Sequence, residues 1–210
     1  MGKPAKLAKD QQAALGRLKR SKALRGFYLA GGSAIAAHLG HRRSIDLDLF
    51  SADLTPDLTQ IEDSLVGAVP DLKVISKTDA VLKVKVGTAA VDIVRYRYPP
   101  LEPLGTGPSG FPLAGLLDLA VMKLAAISSR GIKRDFWDLY EIVHHGVSLS
   151  EATRAYVQRF GTAQSDLYHV VRSLTYFGDA ERKKGPAGLD AKKWREIKLF
   201  FKSEAGRMLA

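Results

Sequence analysis

Leu7, Leu15, Leu18 and Leu24 fall at intervals that place them on one side of a helix with lysines elsewhere, so residues 5–25 read as an amphipathic helix that Gly26 ends. The pattern then changes. Residues 27–30 form a short apolar run, residues 33–38 a compact Ala-rich helix capped by Ser33, and Ile45-Asp46-Leu47-Asp48-Leu49 alternates strictly. Alternation predicts a strand with Ile45, Leu47 and Leu49 on one face and Asp46 and Asp48 on the other. Thr55-Pro56-Asp57 opens a helix with a capping hydroxyl, a first-turn proline and an early acid; Ile61, Leu65 and Val66 give its buried face, and Pro70-Asp71 close it. Short strands are predicted over residues 72–76, 81–86 and 90–96, separated by the turns Thr78-Asp79 and Gly87-Thr88.

Between residues 98 and 115 prolines and glycines crowd the chain, and such a stretch suits neither a helix nor a central strand. Residues 116–128 are apolar almost all round, which predicts a buried helix with Lys123 in its middle. A lysine there ordinarily lays its stem along the core and lifts its ammonium to water. The next helix, R-D-F-W-D-L-Y-E-I-V, sets Asp135 and Asp138 three residues apart on one face, with Phe136, Leu139, Tyr140 and Val143 available for packing. Ser148-x-x-Glu151 is a capping box that opens a helix through Phe160. The fold class is α/β (α+β). Residues 1–98 make a mixed sheet with flanking helices and a basic N-terminal helix, residues 99–114 a Pro/Gly-rich linker, and residues 115–210 a helical bundle.

At 210 residues the chain is long enough for one or two domains with a proper core, and 46% hydrophobic with 26% charged residues fits a globular protein. The absence of cysteine excludes a disulfide framework, a thiolate metal site and a cysteine nucleophile. No apolar run is long enough to span a bilayer, and the basic N-terminus lacks the apolar core of a signal peptide, so the expected location is the cytoplasm. The net charge of +10 is unevenly placed. Lys3, Lys6, Lys9, Arg17, Lys19 and their neighbours meet Asp10 alone in the first 25 residues, and a second basic stretch covers residues 182–207. Such termini attract polyanions, nucleic acid above all, although a solvated helix face accounts for either stretch taken singly.

The candidate chemistry lies in F-Y-L-A-G-G-S-A-I-A-A-H-L-G-H-R-R-S-I-D-L-D-L-F, residues 27–50. A strand that runs through Gly31 and Gly32 into a helix leaves free backbone N–H groups at the positive end of the helix dipole, where phosphate binds, and Ser33 adds a hydroxyl. Two carboxylates on one strand face repel by about 3 kcal/mol at an effective dielectric of about 20, and a divalent cation removes that cost. Hard oxygen ligands, without cysteine or a histidine pair at ligand spacing, favour Mg²⁺, as one or two ions. Asp92 sits between Val91 and Ile93 in a later strand, where an acid is usually a surface residue.

Gly-Gly-Ser followed at this distance by D-x-D resembles the signature of the nucleotidyltransferase superfamily. The fuller forms A-G-G-S-A-I-A…L-G-H-R-R-S-I-D-L-D-L-F, K-L-A-A…R-D-F-W-D-L-Y, S-L-T-Y-F-G-D-A-E and W-R-E-I-K-L-F-F resemble the AbiEii-type toxin nucleotidyltransferases over nearly the whole chain. The resemblance implies a nucleotidyltransferase-like N-terminal domain. It makes Asp46, Asp48 and Asp92 the acidic site, with Asp92 as metal ligand or general base, and it carries the active-site lysine and aspartate of the family onto Lys123 and onto Asp135 and Asp138. Members often carry an acid where Gly178 stands. Histidines 144, 145 and 169 read as ordinary helix residues.

The expected activity is Mg²⁺-dependent transfer of a nucleoside monophosphate from an NTP to a hydroxyl, with release of pyrophosphate. Gly31, Gly32, Ser33, Arg42, Arg43, Lys123 and Asp135 would bind the nucleotide, and Asp138 would orient Lys123. The resemblance further implies an RNA acceptor (tRNA), a cognate antitoxin, and a role as the toxin of a toxin–antitoxin or phage-defence pair. Two other classes share the motifs: a small-molecule nucleotidyltransferase of the antibiotic-modifying kind, and a non-catalytic scaffold that binds RNA or a partner.

Overall fold

The computed structural model describes residues 7–54, 57–161 and 164–209. The chain divides into two compact units, Met1–Gly115 and Leu116–Ala210. Among the described residues no helix is long and apolar enough to cross a membrane.

The first unit is built on a mixed seven-stranded sheet in the order β3-β4-β5-β2-β1-β7-β6. In chain order come helix α1 (Lys9–Leu18), strand β1 (Tyr28–Ala30), helix α2 (Gly31–Leu39), β2 (Asp46–Ser51), α3 (Leu58–Ala68), then β3 (Leu72–Lys77), β4 (Val81–Val86) and β5 (Ala89–Arg95). Two short strands, β6 (Gly105–Thr106) and β7 (Pro112–Leu113), complete it. β2 runs parallel to β5 and β1 parallel to β7; the other neighbours are antiparallel. One face carries the core: Leu47 and Leu49 of β2, Val91 and Ile93 of β5, and Leu82 and Val84 of β4 are all fully buried. Each contributes about 1.5–3 kcal/mol of hydrophobic stabilisation. The alternation that buries them turns Asp46, Asp48 and Asp92 to the other face.

Several local expectations are corrected. The first helix stops at Leu18, and Ser21 then caps a single 3₁₀ turn, Lys22–Leu24, by accepting from the Ala23 N–H at 3.3 Å. A serine side chain that bonds local backbone competes with helix continuation in this way. Leu7, Leu15, Leu18 and Leu24 are nonetheless buried. Lys3 and Lys6 lie outside the described residues, as do Thr55 and Pro56; the cap of α3 is Asp57, whose carboxylate accepts from Thr59 and Gln60 N–H at 2.9 Å. Val66 is exposed because the buried stripe of α3 is Leu58, Ile61 and Leu65, and Val66 sits one residue further round. Ile45 is 81% exposed. It precedes the strand, and its carbonyl and that of Ser44 accept from Gln11 Nε2 at 3.0 and 3.2 Å instead of joining the ladder.

Residues 99–114, expected as a linker, carry β6 and β7 and extend the sheet beyond β1. Leu113 pairs with Leu29, and Ala114 N–H donates to the Leu29 carbonyl at 3.0 Å. The strands are two residues long, so Pro112 removes one donor without breaking a longer ladder.

The second unit is helical: α4 (Leu116–Ser129), α5 (Lys133–His144), α6 (Leu149–Phe160), α7 (Gln164–Ser173), the short α8 (Gly178–Glu181) and α9 (Ala191–Leu209). Phe136 of α5 is its aromatic hub, with ring centroids 5.1 Å from Phe177, 5.9 Å from Trp194 and 5.6 Å from Phe201. Ser148 caps α6 by accepting from the Glu151 N–H at 3.1 Å. Arg159 and Asp118 form an ion pair in which both side chains are buried.

Candidate active site

Sheet register brings the acids of the first unit together. Asp48 of β2 lies across from Asp92 of β5, and Asp92 in turn lies across from Lys83 of β4. On the other side of Asp48 stands Ala30, the last residue of β1 before the glycines. Side chains at matched positions of neighbouring strands share a face, so Asp48, Asp92 and Lys83 form one row, with Asp46 one step along β2 on the same face. Lys83 Nζ is ion-paired to Asp92 Oδ2.

The glycine turn closes over this row. Gly31 has φ +59°, a conformation that favours glycine, and a Cβ there would run into the Asp48 carboxylate. A Cβ on Gly32 would stand 2.6 Å from Arg42 Nη2. Both glycines therefore make room for charged groups, an acid at one and a guanidinium at the other. Arg42 also donates from Nη1 to the Arg43 carbonyl at 3.0 Å, and Arg43 is exposed. Ser33 is not the cap, since α2 begins at Gly31. It is fully buried in the first turn, and its Oγ donates to the Asp46 carbonyl at 2.9 Å, tying the helix to the acid-bearing strand.

The carboxylates supply the hard oxygen donors that suit Mg²⁺, and the glycine turn lies against the Asp48 carboxylate. Among the described residues, however, no three His, Cys, Asp or Glu side chains stand together in a metal-holding group. Asp46 and Asp48 stand on one strand, and Asp92 on the next is ion-paired to Lys83.

In the second unit, Lys123 of α4 is not the snorkelling lysine that an apolar helix suggests. Its Nζ lies 2.9 Å from Asp135 Oδ1 and 2.7 Å from Asp138 Oδ2, and both carboxylates are fully buried. Arg130 adds a second cation, with Nε 3.0 Å from Asp135 Oδ2. Burial pushes the Lys123 ammonium down, but the charges of Asp138 and Asp135 outweigh it and hold the group above its ordinary 10.5. Burial likewise pushes Asp135 up, yet Lys123 and Arg130 bring it below its ordinary 3.8. His144 and His145 donate from Nδ1 to carbonyls one turn back, at 2.8 and 2.7 Å, as helix residues do.

Two charged neighbours escaped the sequence reading. Lys83 was legible: counting back from the two-residue turn Gly87-Thr88 pairs it with Asp92. Arg130 carries no such signal, because it precedes α5 and meets Asp135 only through the turn between α4 and α5.

This fold recurs in solved structures. The antibiotic-resistance factor ANT(2'')-Ia matches with a TM-score of 0.53 at 14% identity, over 76% of this chain and 95% of that one. An antigenic nucleotidyltransferase-like protein from Paracoccidioides brasiliensis matches with a TM-score of 0.52 at 16% identity, over 80% and 95%. The architecture is that of a nucleotidyltransferase. Residues 13–206 match the family model described as nucleotidyl transferase AbiEii toxin, type IV TA system, and the chain belongs to that family. It is a transferase of nucleotidyl groups. Uncharacterized protein aq_aa25 of Aquifex aeolicus (strain VF5) is 31% identical over 206 residues, covering 97% of this chain and 98% of its own.

Proposed function

We propose that the protein transfers a nucleoside monophosphate from an Mg²⁺-bound NTP to a hydroxyl on RNA, with tRNA as the acceptor, and that this reaction makes it the toxin of a toxin–antitoxin or phage-defence pair. The observation that carries the reading is the register row Asp48-Asp92-Lys83, with Asp46 beside it, set against the Gly31-Gly32 turn. Asp46 and Asp48 would hold the cation, which when bound would neutralise charge on the triphosphate and the departing pyrophosphate. The backbone at Gly31 and Gly32, with Arg42 over the turn and Arg43 next to it, binds phosphate oxygens. Ser33 holds that turn to β2 from beneath. Asp92 takes the proton of the attacking hydroxyl, one strand from Asp48. Lys123, Asp135 and Asp138 are further nucleotide-site residues in this reading, with the two acids fixing the ammonium.

Incubating the protein with total RNA, Mg²⁺ and each α-labelled NTP in turn tests this. The wild type should label RNA with at least one NTP, and Asp46→Ala and Asp48→Ala should not. Equal inertness of all three with every NTP would refute the enzyme reading for RNA. Induced expression should arrest growth, with relief by Asp48→Ala and by a cognate antitoxin; harmless expression of an active protein would remove the toxin role alone.

A further inference from the structure

The acid-bearing sheet face does not end at Asp92. Its continuation toward the sheet edge is basic: Lys83 and Lys85 of β4 lie across from Asp92 and Ala90, and Lys73 of β3 lies across from Lys85. Lys73 and Lys85 are exposed, and the Lys83 side chain is 50% exposed. Neither β3 nor β4 contains a carboxylate. The alternate residues Leu82, Val84 and Val86 are buried on the core face, so the pleat fixes these lysines on the side of Asp46, Asp48 and Asp92. Two lysines directly opposite one another on neighbouring strands repel, and the pair Lys73–Lys85 is therefore a position where an anion stabilises the sheet.

We propose that Lys73, Lys83 and Lys85 form a phosphate platform that carries the backbone of a nucleic-acid acceptor to the acidic row. Lys85 is separated from Asp46 by β5 alone, two strand spacings or about 10 Å. A strand whose terminal hydroxyl lies at the acids would thus place its preceding phosphates over β4 and then β3. Charge favours a polyanion over a neutral partner here, and β3 is the edge strand of the sheet. Lys83 links the two regions, since its ammonium already meets Asp92. The proposal rests on the transferase reading above and names where its acceptor lies; the basic termini seen in the sequence do not contribute to it.

The test compares wild type with the Lys73→Gln/Lys85→Gln double variant, leaving Lys83 intact. Anisotropy with a labelled single-stranded RNA of about 20 nucleotides, at about 50 to 200 mM KCl, reads affinity and its salt slope. The double variant should bind about tenfold more weakly at the low-salt end, with the slope reduced by about 1.4 for two lost phosphate contacts. Lys73→Arg/Lys85→Arg should restore both values, and Mg²⁺-NTP binding by calorimetry should be the same in all three. An unchanged affinity and slope in a protein that still binds NTP overturns the platform and leaves the transferase standing. If the variant instead aggregates with RNA binding intact, the lysines guard the β3 edge and the platform is likewise overturned. A wild type that binds no Mg²⁺-NTP overturns the transferase reading itself.

Discussion

The acidic row of the sheet and the ionic cluster of the helices handle charge in opposite ways. On the sheet, Asp46, Asp48 and Asp92 share one half-buried face with Lys83, and Arg42 stands over the neighbouring glycine turn. In the helical unit, Lys123 and Arg130 balance Asp135 and Asp138, with both acids fully buried. In the reading proposed above, the first arrangement takes a cation from outside the chain, since its acids sit together on a partly wet face. The second is already neutral, and its burial makes each charge depend on its partners. The sheet thus keeps its charges within reach of solvent, whereas the helices bury theirs against one another.

The contrast predicts different consequences for removing one charge. Asp48→Asn keeps the shape beside Gly31 and should lower nucleotide incorporation by about a thousandfold with little change in melting temperature, as loss of a group that positions charge stabilisation does. An active Asp48→Asn protein would break the comparison at its functional side. Lys123→Met should instead destabilise the helical unit by about 3–5 kcal/mol, because it leaves two buried carboxylates without their ammonium. Urea unfolding followed by tryptophan fluorescence reports this unit alone, since Trp137 and Trp194 are the only tryptophans. Adding Asp135→Asn and Asp138→Asn to Lys123→Met should recover much of the loss.

The same cluster fixes a pH window. Asp135 is held below 3.8, so the stability it contributes is complete above that value and disappears as pH falls through its lower folded value. Lys123 is held above 10.5, so its contribution is complete below that value and lost on further alkalisation. Tryptophan fluorescence should therefore show no stability change from this source between those limits, and Asp135→Asn should flatten the acid limb. Gly31→Ala forces a Cβ into the Asp48 carboxylate at a positive φ, and should cost about 1–2 kcal/mol together with most of the activity. Smallest is Asp57→Ala, which removes the α3 cap and should cost about 1 kcal/mol while leaving incorporation unchanged.

What could be read from the sequence follows the range of the forces involved. Strict alternation in residues 45–49 was enough to place Asp46 and Asp48 on one face, because side-chain direction in a strand is local. The three-residue spacing of Asp135 and Asp138 likewise put them on one side of α5. Their convergence on Lys123 depends on how α4 packs against α5, which spacing alone does not encode. Ile45 was misplaced because Gln11, 34 residues away in the chain, holds its carbonyl. The strands at Gly105–Thr106 and Pro112–Leu113 were invisible for a different reason: two residues are too few to show a period, and only pairing with β1 makes them strands.

That pairing has a consequence for synthesis. β1 is an interior strand of the sheet and borders both β2 and β7, yet β7 comes more than eighty residues after it. A ribosome therefore releases the glycine turn and β2, with Asp46 and Asp48, well before it releases the piece that covers β1's remaining edge. Until Leu113 emerges, a nascent chain exposes an open backbone ladder next to the future reaction centre, and that interval is when a chaperone or a neighbouring nascent chain has access to it.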